Sequence, residues 1–204
     1  YNGTLDDAAY VALLARLAER RKGKGHARPL LFAAWTAEEK GLLGARWWLQ
    51  HPTVPKQQIA GVINLDQLRP LFPLKALTVH GLGMNSLADM AKQVAEGLEI
   101  EVRPDREPLR NLIRRVDSWP FMAEGIPAVN FIFAYNPRTE EERIYRDWYQ
   151  RRYHRPQDDI GTPMDLDAAR DFNRFFYTLV ETAANAPEKP TARPMQELVP
   201  VAQQ

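Results

Sequence analysis

The sequence contains no cysteine, which excludes disulfides, thiolate metal sites and a cysteine nucleophile and leaves the redox compartment undetermined. Nor is there an excess of charge of either sign. With 27 Lys and Arg against 26 Asp and Glu, the formal charge is +1, so no basic surplus exists to neutralise phosphates and nucleic acid is not an expected partner. Long apolar runs are missing as well. Leu30 to Trp35 has six residues and Ala8 to Ala15 eight, against the roughly 18 that cross a bilayer, so no membrane span is expected. An initiator Met and a signal segment are also lacking, and the opening Tyr1-Asn2-Gly3 reads as part of a longer or processed chain. What is present is 204 residues, 45% of them hydrophobic and 26% charged, enough for one domain with a substantial core. Without thiolates, any metal must be held by His, Asp or Glu.

Along the chain, helical and strand-like patterns alternate. Tyr10, Leu13, Leu14 and Leu17 fall at i, i+3, i+4 and i+7 and predict an amphipathic helix from Asp7 to Arg21, with Asp6 or Asp7 placed to cap it. A basic turn, Arg20 to Gly25, is followed by an apolar run from Pro29 to Thr36 that reads as a buried strand. A helix is expected over Lys40 to Gln50, ending at His51-Pro52, and then a strand from Ile59 to Leu65 that runs into Asp66. Strands near Ala76 to His80 and Pro127 to Phe133, a helix near Ser86 to Gly97, and a long helix from Asp165 to about Ala184 complete the order. Such alternation predicts an α/β protein. The domain is expected to cover 1–185, and 186–204, with Pro187, Pro190, Pro194 and Pro200, to form an extended tail. No internal repeat is visible.

In layered α/β proteins ligands bind where strands give way to loops, so polar residues just past apolar strands are the first candidates. Glu38 and Glu39 follow the run ending at Trp35, Asp66 follows Leu65, and Asp6 precedes the first helix. A fourth candidate, His154, lies in Tyr153-His154-Arg155-Pro156-Gln157-Asp158-Asp159, where Asp158 and Asp159 are placed to orient an imidazole. Oxygen and imidazole donors without sulfur suit a catalytic zinc or a related divalent ion, and paired glutamates can divide the work of ligand and base. Each residue also has a plainer reading: Asp6 as a helix cap, the glutamates as a helix first turn, His154 as a surface residue. Asp66 is harder to read that way, because an acid that ends the run Val62-Ile63-Asn64-Leu65 must meet a cation or hydrogen-bond donors.

Taken together, these segments resemble the zinc aminopeptidase family that includes aminopeptidase Y, bacterial leucyl aminopeptidase, glutamate carboxypeptidase II and glutaminyl cyclase. Tyr1 to Ala8 is similar to the family segment Asn-Gly-Ala-x-Asp-Asn-Ala-Ser-Gly, which makes Asp6 the aspartate bridging two zinc ions. Thr36 to Ala45 resembles the motif whose first glutamate is the general base and whose second is a zinc ligand, roles that fall on Glu38 and Glu39. Asn64-Leu65-Asp66 matches the strand end that binds one zinc, and Tyr153-His154-Arg155-Pro156 the loop that binds the other. Val116 to Phe121 resembles Ser-Asp-His-x-Pro-Phe only in part, with Val116 and Ser118 at the Ser and His positions. Asp117 is read there as a structural residue or one supporting the ligands. Tyr10 and Asp7 also depart from the family pattern.

The resemblance implies a three-layer α/β/α fold with a mixed, mostly parallel sheet. It also implies a peptide substrate and hydrolysis that releases an N-terminal residue. Two zinc ions are expected in the complete domain, one on Asp6, Glu39 and His154 and one on Asp6, Asp66 and a histidine from a segment preceding residue 1, with one ion possible in this chain alone. His26, His51 and His80 lie in the wrong context to replace that histidine. The rival readings are a single-zinc acyltransferase of the glutaminyl cyclase type and a non-catalytic binding module. Arg110, Arg114 and Arg115 either grip an acidic substrate or solvate a loop. Export to the periplasm or outside the cell is expected by the same resemblance.

Overall fold

The computed structural model describes residues 3–23, 25–66 and 68–194. Ten regular elements follow in chain order: α1 (Ala9–Arg21), α2 (Leu43–Gln50), β1 (Val62–Ile63), β2 (Ala76–His80), α3 (Ser86–Gly97), β3 (Glu101–Arg103), α4 (Ser118–Ala123), β4 (Ala128–Phe133), α5 (Glu140–Arg151) and α6 (Leu166–Asn185). The four strands form one sheet in the order β1-β4-β2-β3. β1 runs parallel to β4 and β2 parallel to β3, and the join between β2 and β4 is antiparallel, with Val79 opposite Phe131.

Two helical layers close over this sheet. Leu77, Val79, Val129, Phe131 and Phe133 point to one side and pack with Tyr10 and Leu17 of α1, the alanine face of α3, and Phe172, Phe175, Phe176 and Leu179 of α6. Those four α6 residues recur at i, i+3, i+4 and i+7, so one helix face carries the whole aromatic contact, and Phe175 meets Phe131 edge-on at 5.1 Å. Side chains alternate along a strand, and Ala128 accordingly faces the other way, toward Ala45, Trp48 and Leu49 of α2 and Phe121 and Met122 of α4. This is the expected three-layer α/β/α arrangement. α3 and α6 are capped at their N-termini: the Asn85 side chain accepts from the amide of Ala88 and Asp165 from that of Ala168.

Four expectations need correction. Neither Asp6 nor Asp7 caps α1; both have non-helical backbone angles, and the helix starts at Ala9. Pro29 to Thr36 is not a strand, because no strand among the described residues lies beside it to complete a ladder, and Leu31 is 61% exposed. The helix expected from Lys40 begins at Leu43, after a single tight turn over Glu38–Lys40. The strand expected from Ile59 shrinks to Val62–Ile63, since only these residues pair with β4. Of the expected tail, residues 186–194 run extended past the start of α3, where Thr191 accepts from the Ser86 amide at 2.9 Å and the Arg193 amide donates to Met84 at 2.7 Å. The remainder, 195–204, lies outside the described residues. No helix among the described residues is long and apolar enough to cross a membrane.

Candidate metal centre

Asp6 sits in an irregular turn between Gly3 and α1. Gly3 has φ +58°, and a Cβ there would come within 2.5 Å of the Asp6 carbonyl oxygen, so the turn requires glycine. Its partner lies at the far end of the chain. The buried carboxylate of Asp158 accepts from the Leu5 amide through Oδ1 and from the Asp6 amide through Oδ2, both at 3.0 Å, while the Thr4 amide donates to the Asp158 carbonyl at 3.1 Å. Asp158 therefore holds the Asp6 backbone rather than orienting the His154 ring. Asp159 is likewise turned to its own loop, accepting from the Gly161 amide.

Glu38 and Glu39 lie in the turn before α2, entered through Ala37 and left through Gly41 and Leu42, all with positive φ. The Glu38 carbonyl accepts from the amides of Gly41 and Leu42 at 2.9 and 2.8 Å, tying the turn. Gly44 lets α2 press onto Thr36, where a Cβ would lie 2.6 Å from the Thr36 oxygen. His154 follows the end of α5 in a left-handed conformation, its ring stacked on Tyr153 with centroids 3.7 Å apart.

These three turns converge. One donor atom each from Asp6, Glu39 and His154 lie within 4.8 Å of one another. His154 Nε2 lies 3.3 Å from Asp6 Oδ2 and contacts Glu39 Oε1. Asp6 Oδ2 is buried without a hydrogen bond, an atom whose desolvation a cation would offset. Two carboxylate oxygens and an imidazole nitrogen are a donor set that fits zinc. Burial and the charge of Glu39 push the Asp6 pKa up to about 6 against the pull of Arg69 and His154. Burial, then Glu39, Asp117, Asp6 and Asp7, push Glu38 up to about 8. Such mutual repulsion among carboxylates marks a place for positive charge.

Asp66, the fourth expected ligand, is buried but stands outside this trio. Burial raises its pKa well above the ordinary value, the charges of Glu38 and Asp6 add to the rise, and Arg69 opposes it. Asp117 also borders the site, raised to about 6 by burial and by Asp7. Two of the three arginines considered for substrate are engaged elsewhere: Arg110 bonds Glu107 at 2.9 Å and Arg114 covers the Trp119 ring. Of the other histidines, His51 stacks on Trp47, and His80 is buried 3.7 Å from Asp105 Oδ2. Two residues the sequence reading did not single out support the centre, Arg69 and Tyr153. The signal for Arg69 was an arginine set within the apolar stretch Leu68-Arg69-Pro70-Leu71-Phe72, three positions after an acid that needed a cation.

Comparison with known proteins bears on the fold and the family. Two crystal structures of LapA from Legionella pneumophila, one described as an aminopeptidase, share the fold, each with a TM-score of 0.62. They are 20% and 19% identical to this chain, and each match covers 90% of it and 49% or 47% of the LapA chain, so this chain spans about half their length. No curated protein matches the sequence significantly. The sequence model of peptidase family M28 matches residues 1–180, which contain Asp6, Glu38, Glu39, Asp66 and His154, and the chain belongs to peptidase family M28.

Proposed function

We propose that this chain carries the catalytic centre of a zinc aminopeptidase, with Asp6, Glu39 and His154 as ligands and Glu38 as general base. The observation that supports this reading is the convergence of three donors from distant turns in a member of family M28, with a second glutamate beside them. When bound, zinc polarises a carbonyl and lowers the pKa of water. Glu38, half-buried and adjacent to a ligand, is placed to take a proton from water and hand it to the leaving amine. A second ion would take Asp6 and Asp66 together with a histidine from a segment preceding residue 1, as the family resemblance implies. The same resemblance leads us to propose an exported protein, a point cell fractionation tests.

The decisive experiment measures zinc content and hydrolysis of aminoacyl substrates on the same full-length preparations. Glu38→Gln is expected to keep its zinc and lose at least about 100-fold in turnover; retained turnover refutes the base. Glu39→Ala and His154→Ala are expected to weaken zinc binding while leaving a measurable residual affinity, and unchanged stoichiometry in both refutes the ligand roles. A peptide with N-terminal glutamine, analysed for cyclisation against cleavage, separates hydrolysis from acyl transfer.

A further inference from the structure

Arg69 is 1% exposed, and a buried guanidinium calls for an explanation. Its Cζ lies 4.4 Å from the ring centroids of both Trp148 and Tyr149 and 5.3 Å from that of Tyr153, so three rings of one aromatic wall enclose it. Trp148 and Tyr149 belong to α5, and Tyr153 follows the helix end, its amide held by the Trp148 carbonyl at 3.1 Å. Tyr153 in turn stacks on His154. The backbone of Arg69 is also anchored: its amide donates to the buried hydroxyl of Tyr10 at 3.1 Å, four residues after Asp6. One residue thus touches the helix that begins behind Asp6, the loop that follows Asp66, and the aromatic ring against which His154 rests.

Resting on the reading of Asp6, Glu39 and His154 as a zinc centre, we propose that Arg69 is its positioning residue: the caged guanidinium holds the Tyr153 ring, and that ring sets the imidazole of His154. The planar guanidinium matters as well as the charge. A lysine ammonium has no flat face to lie over three rings, so Arg69→Lys and Arg69→Met both release Tyr153. The expected loss is about tenfold in zinc affinity, the lower end of what removal of a ligand's supporting partner costs.

The test is a double-mutant cycle on the full-length protein, with zinc affinity read by competition with a chromophoric chelator. Arg69→Met and Arg69→Lys are each expected to weaken binding about tenfold in the native background and to have no effect when His154→Ala is already present. General damage to the fold would instead weaken zinc binding equally in both backgrounds, and that result overturns the proposal, as does native affinity in either variant. Should Arg69→Met fail to fold, Tyr153→Leu removes the ring between Arg69 and His154 and is expected to give the same loss, again abolished by His154→Ala. Zinc binding in the native protein that survives Glu39→Ala and His154→Ala unchanged overturns the metal centre itself. Native zinc binding that those substitutions weaken but Arg69→Met leaves alone overturns only the role of Arg69.

Discussion

Asp117 holds its proton more tightly in the folded chain than a solvated aspartate does, its pKa moving from the ordinary 3.8 to about 6 through burial and the charge of Asp7. Between these values the native state binds more protons than the unfolded state, so stability falls as pH rises from about 4 to 6 and stays lower above that. Asp117→Asn removes this loss. In chelator-treated protein it is expected to stabilise by about 1 kcal/mol at pH 7.5, discounted from the full shift for partial solvation, and by nothing near pH 3.5. Melting curves at both pH values check it. Asp158 contributes through hydrogen bonds, its two oxygens accepting from two amides. Asp158→Asn must turn an NH2 group toward one of those N–H donors, leaving it unsatisfied in a buried place at a cost of about 2 kcal/mol. Urea denaturation measures that cost, and the loosened Asp6 turn is expected to bind zinc more weakly.

Among the elements, α6 contributes most to the core by presenting four large side chains on one face. Phe175→Ala opens a cavity against Phe131 and is expected to cost about 3–5 kcal/mol in denaturant unfolding. That helix was legible in the sequence because its stripe is unbroken, as were α3 and β2, whose observed bounds match the reading. α5 was not legible: Glu140-Glu141-Glu142-Arg143 and Arg146-Asp147 obscure the stripe of Ile144, Tyr145, Trp148 and Tyr149, and that stripe packs on Arg69, 79 positions before Trp148. The run from Pro29 to Thr36 had strand composition, but a strand exists only beside another strand, and composition does not reveal the neighbour. The same limit applied to the site. The trio Asp6, Glu39 and His154 could be named from local motifs, whereas the role of Asp158 depends on amides 153 and 152 positions away and could only be seen once the chain was folded.

For the molecule as a whole, the centre joins the first turn, the segment before α2 and the end of α5. A ligand that binds only the folded form stabilises it in proportion to the logarithm of its concentration, so zinc at 100 times its dissociation constant adds about 2.7 kcal/mol. For a chain of this size, chelation is expected to lower Tm by about 5–10 °C, measured calorimetrically with and without excess chelator. Glu39→Ala should show no such difference. Because Asp158 fastens an amide 152 positions earlier, the donors assemble only by closing almost the whole chain, a late and non-local event in folding. On the ribosome, the segment bearing Asp6 emerges first and waits for the one bearing His154 and Asp158. A nascent chain interrupted anywhere before that point lacks the imidazole and the carboxylate that holds the Asp6 turn, so translation itself keeps the proposed metal centre incomplete, and any activity it supports latent, until the segment around His154 and Asp158 has been made.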